Sequence, residues 1–305
     1  MAMSSALTPA LTVTSNARVR RRRDLPLAGE VLVKEGDIVQ GDTVVARAQL
    51  EGELRLVRVG EALGIPGSEV PDALRVKEGA VITAGDVLAE IRGLWGLFRS
   101  TVTAPISGVV ELVSTTTGHV GIRAPSEPLN LTAYMAGKVV GVEPSRSVVI
   151  EADATFVQGI FGVGGERLGV VQLLEVGAHD VVREEHIPIS APGAILVGGH
   201  SPTTQALHKA VAASAVGFIT GSIDDATLRD YLGYDIGIAL TGDENVPMTL
   251  IITEGFGSLP MSERVVQTLR RVQGQRAALN GATQVRAGAI RPEVLAPMSQ
   301  DGEKK

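Results

Sequence analysis

Cysteine is absent from all 305 residues. That excludes disulfides, thiolate metal sites and cysteine nucleophiles. It also fits a reducing compartment, so a cytoplasmic location is expected. Aromatic residues make up 3% of the chain, with one Trp, three Tyr and five Phe. The core must therefore be aliphatic, which suits sheets with short helices. Charged residues reach only 20%. Either larger domains bury more of the chain, or other subunits cover part of its surface. No run reaches about 18 apolar residues, so no membrane span is expected. The first residues lack the apolar core of a secretory signal. A net charge of −6 argues against a general nucleic-acid binder. G-x-S-x-G, H-x-H, H-E-x-x-H and G-x-G-x-x-G do not occur.

What is present is aliphatic and turn-rich. Hydrophobic residues are 44% of the chain, alongside 36 glycines and 15 prolines. Such a composition predicts many turns and many short strands. The length gives room for about two or three domains. The expected fold is multidomain α+β. Residues 1–23 form a flexible basic arm. Residues 24–131 form a barrel-sandwich-like β domain, 132–190 a glycine-rich β module, and 191–298 an α/β domain with a mostly parallel sheet. Residues 299–305 are a polar tail.

The arm carries five arginines in six positions, Arg18 and Arg20 to Arg23. Such a cluster attracts phosphate or acidic protein. No aromatic interleaving or second basic block follows, so nucleic acid is not expected. The arm reads as a charged extension that folding does not require.

An internal repeat follows. VKEGDIVQGDTVVAR at 33–47 matches VKEGAVITAGDVLAEI at 76–91. Each copy reads as a tight turn, a β step, a second turn and a strand. Gly36 and Gly79 are expected to hold equivalent turns. TVTAPISGVVELV at 101–113 is a further strand, turn and strand. Ala104, Pro105, Gly108, Val109, Val76, Gly79, Gly85, Asp86, Leu88 and Ala89 together resemble the biotinyl/lipoyl-like barrel-sandwich hybrid family. The resemblance implies two halves interleaved into one flattened barrel. The family's carrier form implies a modified lysine in Met-Lys-Met or Asp-Lys, which this chain lacks. Lys34 and Lys77 sit in Val-Lys-Glu-Gly turns, and Lys138 follows a glycine. A non-carrying scaffold is what remains. Trp95 and Phe98, in IRGLWGLFRS, are candidate interface residues, as aromatic anchors beside glycine.

Beyond residue 190 the pattern changes to β-α-β-α-β, which implies a parallel sheet. Strands are expected at 195–197, 218–220, 235–240 and 248–253. Helices are expected at about 204–214, 226–232 and 262–272, with Thr203 or Thr204 and Asp224 or Asp225 as caps. The third and fourth strands are joined by a link too short for a helix, so that pair reads as parallel or as a hairpin. In an open parallel sheet the strand-end loops share one edge, where ligands bind. The candidate ligand-binding residues there are Gly198, Gly199, His200, Ser201, Gly221, Ser222, Asp243, Glu244, Glu254, Gly255 and Gly257. Free N–H groups at helix starts favour an anion, phosphate- or nucleotide-like. Arg286 and Arg291 are candidate interface residues that hold a neighbouring carboxylate. No catalytic residue, metal site or specific cofactor is indicated.

Two functions compete. One is a non-catalytic scaffold or assembly subunit, a homo-oligomer or part of a complex. The other is an enzyme or ligand-binding subunit that recognises an anionic small molecule at the strand ends.

Overall fold

The computed structural model describes residues 11–93, 98–234, 244–283 and 290–298. The architecture is mixed α+β and multidomain. The chain divides into a larger unit, residues 1–46 with 131–305, and an insert, residues 47–130. It leaves the larger unit within strand Val44–Leu50 and returns within Glu127–Thr132.

In the larger unit, alternation of aliphatic residues sets the layers. Four strands run parallel and side by side: Glu166–Leu173, Ala194–Val197, Gly217–Ile223 and Thr249–Phe256. Ile195, Val197, Ile219 and Ile251 pack on one face with Val265 and Leu269. Leu196, Phe218, Leu250 and Ile252 pack on the other with Ala206, Leu207 and Leu228. A strand covered on both faces reads as a continuous apolar run, as AILV and TLIIT do. Of the helices, α1 (Val59–Leu63) and α2 (Val70–Ala73) lie in the insert, while α3 (Thr204–Ala212), α4 (Asp225–Leu232) and α5 (Glu263–Arg270) cover the parallel strands. The expected third strand lies outside the described residues. The fourth is parallel to Gly217–Ile223, with Phe218 opposite Leu250.

Beyond Glu166–Leu173 the sheet turns antiparallel, through Arg276–Asn280, Glu293–Pro297, Ser147–Gln158 and Gly137–Glu143 to Ile38–Val39. The twelve-residue strand Ser147–Gln158 is the hinge of this half. On one edge it pairs first with Gly137–Glu143 and then with Glu293–Pro297. Its other edge is covered by Val13–Asp24 along nearly its whole length.

That last pairing corrects the flexible arm. The arginine run is a strand, and each arginine in it has an acidic partner. Arg18 faces Asp153 at 3.0 Å and Arg20 faces Glu151 at 2.5 Å, both directly opposite in register. Arg22 reaches Asp24 and Glu143. On the opposite face Arg21 pairs with Glu293, and Arg23 pairs with Glu166 at 2.5 Å. Arg21 and Arg23 also lie over the rings of Phe156 and Tyr134. Sequence density suggested a basic patch, because all the acids that neutralise it except Asp24 are more than a hundred residues away.

The repeat is real in three dimensions. Gly36 and Gly79 both have positive φ, +97° and +83°. Their N–H groups donate to Val139 and Val110 at 2.8 and 2.7 Å. Ile38–Val39 then pairs with Gly137–Glu143, and Val81–Ile82 with Gly108–Val113. Each copy therefore has its own return strand, and AGKVVGVE at 136–143 is the counterpart of SGVVELVS at 107–114. The glycines of those two return strands match as well. A Cβ on Gly137 would stand 2.5 Å from the Glu151 carbonyl oxygen, and one on Gly108 would stand 2.1 Å from that of Arg123. The first copy belongs mainly to the larger unit and the second to the insert. The division thus cuts across the expected 24–131 domain.

The insert has its own core. Val59, Val70, Leu88, Val110, Val120 and Ile122 are fully buried in it. A four-stranded sheet runs in the order Leu54–Arg58, His119–Arg123, Gly108–Val113, Val81–Ile82. A hairpin pairs Val87–Gly93 with Phe98–Thr103.

Candidate functional site

The strand-end edge of the parallel sheet gathers many of the expected residues. His200, Ser201, Gly221, Ser222, Glu254 and Gly255 lie at or just past the ends of adjacent strands. Ser222 donates its N–H to the His200 carbonyl at 2.6 Å and its hydroxyl to the same oxygen at 2.9 Å. Gly221 donates to Gly199 at 3.3 Å, and Gly257 to Ile223 at 2.9 Å. Glu254 is beside this group, because Ser222 is opposite Gly255 in register.

Two of the expected residues are elsewhere or undescribed. Asp243 lies outside the described residues. Glu244 precedes strand Thr249–Phe256 by five positions, so it sits where that strand begins, not where it ends. Trp95 and Arg286 lie outside the described residues as well. Phe98 opens its strand opposite Gly93, and Arg291 is half-buried just ahead of Glu293–Pro297.

The glycines of this edge have a packing reason. A Cβ on Gly221 would lie 2.5 Å from the Leu259 carbonyl oxygen and 2.5 Å from the Met261 nitrogen. One on Gly199, at φ +70°, would lie 2.2 Å from Val182 Cγ2. His200 N–H donates to the Asp180 carbonyl at 2.8 Å, and Val181–Val182 pairs with Ser201–Pro202. The loops are thus closed over by the chain itself. These close approaches are what glycine permits.

Each of the helix starts at this edge also has an acceptor from within the chain. Thr203 accepts the Ala206 N–H at 3.1 Å ahead of α3. Asp224 accepts the Thr227 N–H at 2.8 Å and its hydroxyl at 2.7 Å ahead of α4. Burial alone would raise the Asp224 carboxyl, but the Thr227 bonds hold it below its ordinary value. At α5 the Ser262 side chain does not cap. Glu254 Oε1 instead accepts the Ser262 N–H at 2.9 Å. A carboxylate on that terminus satisfies the donor and the helix dipole together, which leaves less for an external anion.

A cleft of about 440 Å³ remains between these ends. Leu173, Leu174, Val176, Met261 and Val266 give it apolar walls, Glu263 and Arg270 give it charges of both signs, and His179 adds an imidazole. Its size is within the usual range for small-molecule sites. Three of the five histidines have local partners. His186 Nδ1 accepts the Arg183 N–H at 3.0 Å, His208 pairs with Asp230 at 3.0 Å, and Ser201 Oγ lies 3.4 Å from His200 Nδ1. Among the described residues no group of three or more His, Asp or Glu side chains is placed to hold a metal ion. No helix among them is long and apolar enough to cross a membrane.

A second surface was missed in the sequence. In the insert's four-stranded sheet, Gly121 is opposite both Leu56 and Leu112, Arg123 is opposite Leu54 and Val109, and Val109 is opposite Val81. These residues share one face. Val110, Val120, Ile122 and Ile82 fill the other. Leu56, Leu112, Val109 and Val81 are 52%, 45%, 40% and 83% exposed. The available signal was the doublets Val109-Val110 and Leu112-Val113: in a strand, adjacent apolar residues make both faces apolar. The bulge at Glu111 keeps Leu112 on the outer face.

No protein-family model, curated protein or solved structure matches the chain.

Proposed function

We propose that the chain is a non-catalytic scaffold or assembly subunit of a protein complex. It is built on barrel-sandwich-like halves that have lost, or never had, the carrier lysine. The observation that carries this reading is the insert's sheet, apolar on both faces. One face supplies the core, while the other leaves four aliphatic side chains in water. Contiguous exposed apolar surface of this kind marks interaction sites. The internal capping of the strand-end helices and the neutralised arginine strand support the same reading, because both remove plausible ligand sites. A cytoplasmic location belongs to the proposal, on the absence of cysteine.

Light scattering of the purified chain tests it. The expected result is a mass above the 31.8 kDa of one chain, or a stable co-purifying protein. A strict monomer that retains no partner overturns the reading.

The 440 Å³ cleft favours a second reading, an anionic small molecule held between Arg270 and His179. Thermal denaturation against phosphate, sugar phosphates and nucleotides tests that. Ligand at about 100 times its Kd stabilises by about 2.7 kcal/mol. No shift with any of these at millimolar concentration removes this reading.

A further inference from the structure

We infer that the outer face of the insert's four-stranded sheet is the seat of a second copy of this chain, the two sheets packing face to face. This rests on the assembly reading and names its partner. The centre of the face is continuous. A Cβ on Gly121 would touch Leu112 and Leu54 at 3.3 Å and Leu56 at 3.5 Å, so the three leucines close over the glycine. Val109, on the strand of Leu112, and Val81, on the next strand, extend the same surface.

Charge selects the occupant. Arg123 lies on this face, but its guanidinium is held by Glu111 at 2.5 and 2.7 Å and by the Gly52 carbonyl at 3.2 Å, and Glu51 reaches it at 3.9 Å. The bonding is two-pronged, and neither ion is left alone when water is excluded. Glu111 holds Arg123 further above its ordinary value, and Arg123 holds Glu111 below its own. On the neighbouring edge strand and the helix after it, Arg55 pairs with Glu53 at 3.8 Å and Arg58 with Glu61 at 3.4 Å. These groups carry no net positive charge. They offer no attraction to a nucleic acid, an anionic lipid surface or an acidic protein. A second copy needs none. It brings aliphatic surface to aliphatic surface, and its charges are already paired, so two-fold apposition sets no unpaired like charges against each other. The 20% charged content of the chain is in keeping with a surface partly covered by its own kind.

The test is the mass of the full chain by analytical ultracentrifugation over a concentration series, for the wild type, Leu56→Glu and Leu112→Glu. Both side chains are about half exposed in one chain, so each variant keeps its thermal transition. If a glutamate variant loses that transition, Leu56→Ser takes its place. The expected result is a wild-type dimer whose dissociation constant rises at least about a hundredfold in each variant, about 2.7 kcal/mol. A wild-type multimer indifferent to all the variants overturns this face as the seat but leaves the assembly reading standing. A wild-type monomer that holds a different protein through Leu56 and Leu112 overturns the second copy and also leaves that reading standing. A wild-type monomer with no partner overturns both.

Discussion

The strand-end edge of the parallel sheet and the outer face of the insert's sheet make opposite impressions in sequence and in space. The edge is rich in Gly, Ser and acidic residues, the usual dress of a ligand site. In space its glycines are there because Val182, Leu259 and Met261 pass within a side chain's reach. The face carries no motif. It is a few aliphatic residues in short strands, yet those are the ones left in water. Glycine reports a close approach without saying what approaches. An exposed leucine opposite another is harder to see in one dimension and says more about partners.

The largest effect is expected from removing residues 1–24. Val13 and Val19 are buried, each worth about 1.5–3 kcal/mol, and the strand covers an edge of Ser147–Gln158. Truncation should lower the melting temperature of the larger unit by well over about 5 °C or abolish folded protein. An unchanged melting curve would return this segment to the status of an arm.

Next come Gly199→Ala and Gly221→Ala, each expected to destabilise by about 2–3 kcal/mol through overpacking, with added backbone strain at Gly199. Chemical denaturation should give the same loss with and without phosphate. A loss of phosphate affinity without a loss of stability would make the edge a site after all.

Gly36→Ala and Gly79→Ala meet no atom within 4 Å but force a positive φ on alanine. Each should cost about 1–2 kcal/mol. The two costs should be similar, one in each unit, if the repeat copies are equivalent.

The smallest effect is in acid. Hydrogen bonding from Arg92, with Arg99 and Arg75 nearby, holds the Glu90 carboxyl below its ordinary value. Arg18 does the same for Asp153. A depressed carboxylate adds stability that is complete above its unfolded pKa of about 4 and is lost as pH falls through its folded value. Urea midpoints should therefore be level near neutrality and fall below about pH 4. Glu90→Gln should flatten that acid limb, and an unaltered limb would show that Glu90 does not contribute to it.

Much of the fold was legible in the sequence, and the reason is periodicity. The apolar runs at 195–197, 218–220 and 248–253 and the helix after each have the pattern of a doubly covered sheet. The positive φ at Gly36 and Gly79 was readable from Lys-Glu-Gly. The arginine strand was not, because all its acids but Asp24 lie far away in sequence, at 143, 151, 153, 166 and 293. Nor was the split of the repeat between two units, since the return strands at 107–114 and 136–143 share only a glycine and two valines. The capping of α5 by Glu254, eight residues before Ser262, is a contact that only the sheet's geometry creates.

The comparison between edge and face comes to one measurement: hydrogen–deuterium exchange of the full chain at low and high protein concentration. Amides of Leu54–Arg58, Gly108–Val113 and His119–Arg123 are expected to gain protection as concentration rises, while the loops at Gly198 to Ser201 and Gly255 to Gly257 do not change. Protection that appears at those loops instead, or nowhere, would contradict that expectation.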